Sequence, residues 1–320
     1  MTTLYQDVIN ANQRIESYIV QTPVELSLHL SQLTGANVYL KNEHLQYTGS
    51  FKLRGAFNKI LSLSKEEASR GIIAASTGNH GLAVAYAAKQ CGLKATIFVP
   101  DNASSLKTTA IVALGAELKV VKGGALKAEL TAREESRRLK CTFISPYNDL
   151  AVIAGQGTIG YELHHQIPAL DAVFISVGGG GLISGISSYL KYLNPAIKII
   201  GCSPANSCVL YESIKAGKIL ELEEKPSISD ATMGGLEQDT ITLKLCQKLV
   251  DDYVLVSEEE IFKAMHILLE NERWMVEGAA GTVVAAFQKH AHDYVGQTVA
   301  LLLCGRNISF EKFKGVICTT

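Results

Sequence analysis

Short apolar runs rich in Ile, Val and Phe alternate with helical patterns along most of the chain, and this alternation restricts the fold more than any other feature. The runs are Ile72 to Ala75, Ala95 to Val99, Glu117 to Val121, Cys141 to Ile144, Ala172 to Val177, Ile197 to Cys202, Tyr253 to Val256 and Val299 to Leu303. Between them lie helical stretches such as His80 to Cys91, Ser104 to Leu114, Leu126 to Leu139, Leu182 to Leu193, Glu258 to Asn271 and Ala279 to His292. Strands that are apolar on both faces need helices on both faces. The predicted class is therefore α/β, with open parallel sheets flanked by helices and right-handed crossovers. With 320 residues, 47% of them hydrophobic, the chain has material for two domains.

No repeat, low-complexity tract or proline-rich tether is present, so a domain boundary must be a short hinge. Two polar segments with helix breakers qualify, Ser64 to Gly71 and Ser145-Pro146-Tyr147-Asn148-Asp149. They divide the chain into a large domain of residues 1–64 and 149–320 and a small mobile domain of residues 72–147. A ligand then belongs in the interdomain cleft, at the carboxyl ends of the strands.

Net charge is -1 and the basic residues are scattered, which argues against nucleic acid or an anionic membrane as partner. The apolar run Val299 to Cys304 is far too short to span a bilayer. The opening Met-Thr-Thr-Leu-Tyr-Gln-Asp lacks the basic-then-apolar order of a signal peptide, so the expected location is the cytoplasm. The 7 cysteines include no C-x-x-C pair and read as reduced, mostly structural thiols.

Val173 to Val177 runs straight into Gly178-Gly179-Gly180-Gly181, and Leu182 opens a helix. Such a turn can point successive backbone N–H groups inward, where they and the helix N-terminus hold a phosphate dianion. A tight structural turn is the plainer explanation, but it needs fewer glycines. No G-x-G-x-x-G followed by a ribose-binding acid and no Gly-Lys-Ser/Thr occurs, which counts against a nucleotide-binding Rossmann protein or a P-loop.

Lys52 lies between a turn and an apolar-faced helix in Thr48-Gly49-Ser50-Phe51-Lys52-Leu53-Arg54-Gly55-Ala56. A lysine is usually a solvated surface residue. Here the flanking Phe51 and Leu53 and the helix start disfavour its cation, which would make it a competent Schiff-base nucleophile. Ser76-Thr77-Gly78-Asn79-His80-Gly81 follows a strand and opens a helix. Its hydroxyls, amide and free N–H groups suit a carboxylate, although an ordinary N-cap would use a single Ser or Asn. His80 reads as structural. Neither a Ser-His-Asp set nor an H-E-x-x-H motif is present.

Together, the S-F-K-L-R-G-A stretch, the S-T-G-N-H-G loop, the tetraglycine turn and the ending Cys304-Gly305-Arg306-Asn307 resemble the serine/threonine dehydratase and serine racemase family. These are fold-type II pyridoxal-phosphate enzymes of the tryptophan synthase β type, and the match runs from Thr22-Pro23 to the C-terminal strand. The resemblance implies that the large domain binds pyridoxal 5'-phosphate, that Lys52 carries it as a Schiff base, that Phe51 packs by its ring and that Asn79 bonds the ring's 3'-oxygen. Gly178, Gly179, Gly180, Gly181 and Leu182 would hold the phosphate. Ser76, Thr77, Asn79 and His80 would take the substrate carboxylate, Glu277 and Gly234 would sit near the ring, and Cys304 would face the pyridine nitrogen.

A neutral thiol there cannot keep that nitrogen protonated, which favours prompt loss of a β-hydroxyl over transamination. The implied reaction is dehydration and deamination of a small hydroxy-amino acid such as L-threonine or L-serine. Alternatives are a serine racemase, a 3-hydroxyaspartate ammonia-lyase, an ectoine-utilisation dehydratase, or a cofactor binder without turnover.

This sequence departs from its relatives at three places. Ser203 stands where cation-binding relatives carry a Glu, with no carboxylate near Ser207 or Val209, so no metal site is expected. Thr77 replaces the Ser that acts as opposite-face proton donor in racemising relatives; it keeps the catalytic hydroxyl but adds a methyl in the proton path. Arg306 replaces a small Gly, and could hold a second carboxylate or simply close a helix. The chain stops at Thr320 without the regulatory domain of biosynthetic threonine deaminases, so isoleucine feedback is not expected. A homodimer is the expected assembly.

Overall fold

The computed structural model describes residues 2–103 and 105–318. Among these residues the strands form two sheets, one six-stranded and one four-stranded. The strands in chain order are β1 (Val24–Leu26), β2 (Asn37–Lys41), β3 (Ile72–Ala75), β4 (Ala95–Pro100), β5 (Glu117–Val121), β6 (Thr142–Phe143), β7 (Ala172–Ser176), β8 (Lys198–Pro204), β9 (Asp252–Val256) and β10 (Thr298–Leu302). The larger sheet runs β1-β2-β10-β7-β8-β9 and the smaller β5-β4-β3-β6. Every pairing is parallel except β1 with β2. The α/β class with parallel sheets flanked by helices is what the alternating pattern predicts.

Two features depart from the reading of the sequence. The strands β1 and β2 are not among the apolar runs of the sequence: β1 is only 3 residues long, and β2 begins and ends in a polar residue. Charges at the end of β2 and just beyond it normally mark surface, yet Lys41, Glu43 and Arg54 are buried and paired. Arg54, 0% exposed, donates to both carboxylate oxygens of Glu43 at 2.7 and 2.8 Å and of Glu162 at 2.6 and 2.9 Å. Lys41, also wholly buried, donates to Thr22 O at 2.8 Å and to Glu162. Paired in this way the charges are tolerable, but removing one partner would leave an uncompensated buried ion.

The second departure is the helix Leu150–Gln166. It lies against other helices and is buried on nearly all sides, so it shows no amphipathic period. Glycine also disfavours helix by propensity, yet Gly155 and Gly157 let it approach Gly55 and Gly185 closely. Ser104, the expected start of the helix now seen from Ser105 to Ala113, lies outside the described residues.

Three apolar clusters result. The largest surrounds the six-stranded sheet and includes Phe51, the second lies on one face of the four-stranded sheet and takes in Leu53, Phe57 and Ile60, and a small third, with Ile73, Phe98 and Ala132, covers its other face. Lys52 therefore stands where the two larger clusters meet. No helix among the described residues is long and apolar enough to cross a membrane. Contrary to the expectation of no carboxylate near Ser207, Glu224 folds back to accept hydrogen bonds from the Ser207 hydroxyl and from Gly234 N–H. No group of three or more His, Cys, Asp or Glu suited to a metal occurs among the described residues.

Candidate active site

A cleft opens between the sheets. Its wall brings together Phe51, Lys52, Asn79, Gly178, Gly179, Gly180, Gly181, Leu182, Glu277 and Cys304, ten positions singled out in the sequence. Lys52 begins the helix Lys52–Leu61, and its Nζ donates to Pro146 O at 2.9 Å while lying 5.2 Å from the Phe51 ring centre. Burial lowers its pKa to about 8, against the opposing attraction of the Glu277 carboxylate. A useful fraction of free amine thus exists near neutrality.

The tetraglycine turn joins β7 to the helix Gly181–Leu193. Gly180 adopts the left-handed conformation (φ 81°) and the helix has no side-chain cap. A Cβ at Gly179 would lie 2.4 Å from the Tyr147 ring, so the turn fits tightly beneath that residue. Tyr147 is held by its hydroxyl, which accepts from Glu237 N–H at 3.0 Å. Backbone N–H groups at an uncapped helix start form an anion site.

Glu277 is 2% exposed and accepts from Asn79 Nδ2 at 2.9 and 3.0 Å. The Cys304 thiol lies 3.9 Å from Glu277 Oε1. Burial first, and the Glu277 carboxylate second, hold that thiol well above its ordinary pKa, so it stays neutral. A phosphate-bearing aldehyde fits these residues, with an anion cradle at one part of the wall, an amine that is partly free near neutrality at another and a neutral donor at Cys304.

Ser76, Thr77 and His80 do not line this cleft; they flank Asn79 at the start of the helix Asn79–Gln90, which also lacks a side-chain cap. Ser76 Oγ accepts from Gly78 N–H at 3.1 Å. His80 is buried with its Nε2 2.8 Å from Ile144 O, and burial, then Lys52, lowers its pKa to about 3. It is a neutral structural group that ties the helix start to the segment after β6. Gly234 is exposed and lies away from the wall, which its loop reaches through Ala231 and Thr232. Arg306 is exposed on the loop after β10 and is not part of the wall either.

Sequence reasoning missed Pro146, Tyr147, Ser176, Ala231, Thr232 and Ala279 on the wall. Pro146 and Tyr147 lie in a segment already marked by its breakers, and Ser176 ends the strand before the glycines. Nothing in the sequence distinguished Ala279 from an ordinary helix residue.

The family model for pyridoxal-phosphate dependent enzymes matches residues 15–305. The L-threonine ammonia-lyase of Thermotoga maritima is 40% identical over 99% of this chain and 78% of its own. The serine racemase of Dictyostelium discoideum is 35% identical over 99% of this chain and 98% of its own. Among solved structures, the processed threonine deaminase isoform 2 of Solanum lycopersicum superposes with a TM-score of 0.93 at 32% identity, covering 98% of this chain and 92% of that one.

Proposed function

This chain belongs to the pyridoxal-phosphate dependent enzymes, and from that premise we propose that it deaminates a small hydroxy-amino acid, L-threonine or L-serine, to a 2-oxo acid and ammonia. The observation that carries the reading is Lys52, an amine lowered to about pKa 8 in a buried cleft that also holds an uncapped glycine turn. The named activity of the Thermotoga relative supports the choice of substrate class.

When bound, the cofactor supplies a carbonyl for the amine and a sink for the electron pair left when Cα loses its proton. Gly178 to Gly181 and Leu182 would hold its phosphate through backbone N–H groups and the helix start. Phe51 would pack beside the ring, with Asn79 bonding its 3'-oxygen and Glu277 near it. Lys52 Nζ takes the Cα proton, and backbone groups of Ser76, Thr77, Asn79 and His80 hold the substrate carboxylate. Cys304, neutral at its raised pKa, would offer no negative charge to a ring nitrogen, which favours prompt loss of the β-hydroxyl; it leaves as water with a proton from a nearby acid, and water then hydrolyses the released enamine to the 2-oxo acid and ammonia. Residues 72–147 close as a mobile unit over the cleft. The protein acts as a cytoplasmic homodimer, the commonest symmetric assembly.

A second reading, amino-acid racemisation, has in its favour the Dictyostelium relative, while the Thr77 methyl in the proton path counts against it. The test is 2-oxo acid release from L-serine, L-threonine and L-threo-3-hydroxyaspartate by cofactor-loaded protein, with chiral analysis of residual substrate and Lys52→Ala as control. Turnover that vanishes in the control is expected. Inverted substrate without 2-oxo acid would instead establish the racemase.

A further inference from the structure

We propose that Asn307 is a positioning residue whose side chain fixes the orientation of the Asn79 amide, so that Asn79 presents its nitrogen, not its oxygen, to Glu277 and the cleft. The inference rests on the reading of this cleft as the pyridoxal-phosphate site.

Asn307 Nδ2 donates to Thr48 O at 2.8 Å and to Asn79 Oδ1 at 2.6 Å. An amide nitrogen has two hydrogens, and these contacts use both. Thr48 O is a backbone carbonyl that cannot donate, so Asn307 must turn its nitrogen this way. Asn79 must then offer its oxygen to Asn307, which directs its own nitrogen to the Glu277 carboxylate at 2.9 and 3.0 Å. Glu277 Oε2 also accepts the backbone N–H of Asn307 at 3.1 Å, closing a ring of three residues.

A reversed Asn79 amide would set its oxygen against a carboxylate in a site where Asn79 is 8% exposed, an unpaired arrangement that burial makes costly. The ring also joins separate parts of the fold. Asn79 opens the helix after β3 in the smaller sheet, whereas Glu277 and Asn307 belong with the six-stranded sheet, and Thr48 lies in the turn just before Lys52. That turn admits little adjustment: Gly49 has φ 72°, and a Cβ there would lie 2.9 Å from Asn307 Oδ1. One side chain therefore registers both the Lys52 turn and the Asn79 amide.

The test uses cofactor-loaded wild type, Asn307→Asp, Asn307→Ala, Asn79→Ala and the double alanine variant. Asn307→Asp keeps the shape but replaces a donor by an acceptor. It is expected to shift the cofactor's visible absorption band, hasten cofactor loss and lower kcat/KM for L-threonine by about 10- to 100-fold. Asn307→Ala should lower kcat/KM in the wild-type background and by a distinctly smaller factor once Asn79 is already Ala, the remainder being the lost contact with Thr48 O. Equal losses in the two backgrounds, or an unshifted band in Asn307→Asp with only a lower melting temperature, would overturn the proposal. If Asn307→Asp does not fold, the alanine cycle decides alone. Wild type that takes up no cofactor would overturn the underlying reading, and this one with it.

Discussion

Two strand-to-helix crossings reach the cleft, one from each sheet, the first through its four glycines and the second through Asn79 alone, and they are built differently. The first takes β7 through Gly178 to Gly181 into its helix, and the second takes β3 through Ser76, Thr77 and Gly78 into the helix Asn79–Gln90. Both helices start without a side-chain cap, so both can offer N–H groups to an anion. The glycine crossing is packed shut against protein, with the Tyr147 ring where a Cβ of residue 179 would go. At Gly78 an added Cβ would meet nothing nearer than Ser76 Oγ at 4.0 Å. The closed crossing suits a group that stays, such as a cofactor phosphate. The roomier one, which carries hydroxyls, suits a carboxylate that enters and leaves at each turnover.

The largest predicted effect breaks the closed crossing. Gly179→Ala forces a methyl into the Tyr147 ring and should destabilise the protein by about 1–3 kcal/mol, read by urea unfolding. Next comes the amine between the crossings. Only unprotonated Lys52 can capture the aldehyde, so the loading rate of apo-protein should rise about tenfold per pH unit and level off near pH 8. A stopped-flow pH series measures it, and a rise continuing toward pH 10 would mean that burial does not lower the amine. Ser76→Ala removes the acceptor for Gly78 N–H and should raise KM for L-threonine by about 2- to 10-fold, with cofactor retention unchanged. The smallest effect is expected for Gly78→Ala, which has room for the methyl and should change stability by less than about 0.5 kcal/mol.

The same contrast explains what the sequence disclosed. The glycine turn, Lys52 and the Asn79 loop were legible because each breaks an ordinary pattern: too many glycines, a lysine among apolar residues, several polar groups at one helix start. Parallel strands were legible because burial on both faces makes them uniformly apolar. What stayed hidden depends on long-range pairing. Arg54 and Glu162 lie 108 residues apart, and nothing local tells that they meet in the interior. Asn307 appeared in a quoted motif, yet its meaning lies in Asn79, 228 residues away. Gly234 was carried over by resemblance alone. Its loop instead turns at Asp230–Thr232, which brings Ala231 and Thr232 to the wall and leaves Gly234 on the surface beside Glu224.

If the glycine crossing retains the cofactor and the Ser-Thr crossing does not, dialysis of cofactor-loaded wild type, Gly179→Ala and Gly78→Ala side by side, followed by the visible absorbance of each, will separate them. Gly179→Ala should lose its colour at least about tenfold faster than wild type, while Gly78→Ala keeps pace with wild type. Loss from Gly78→Ala equal to or faster than that from Gly179→Ala would contradict this division of roles.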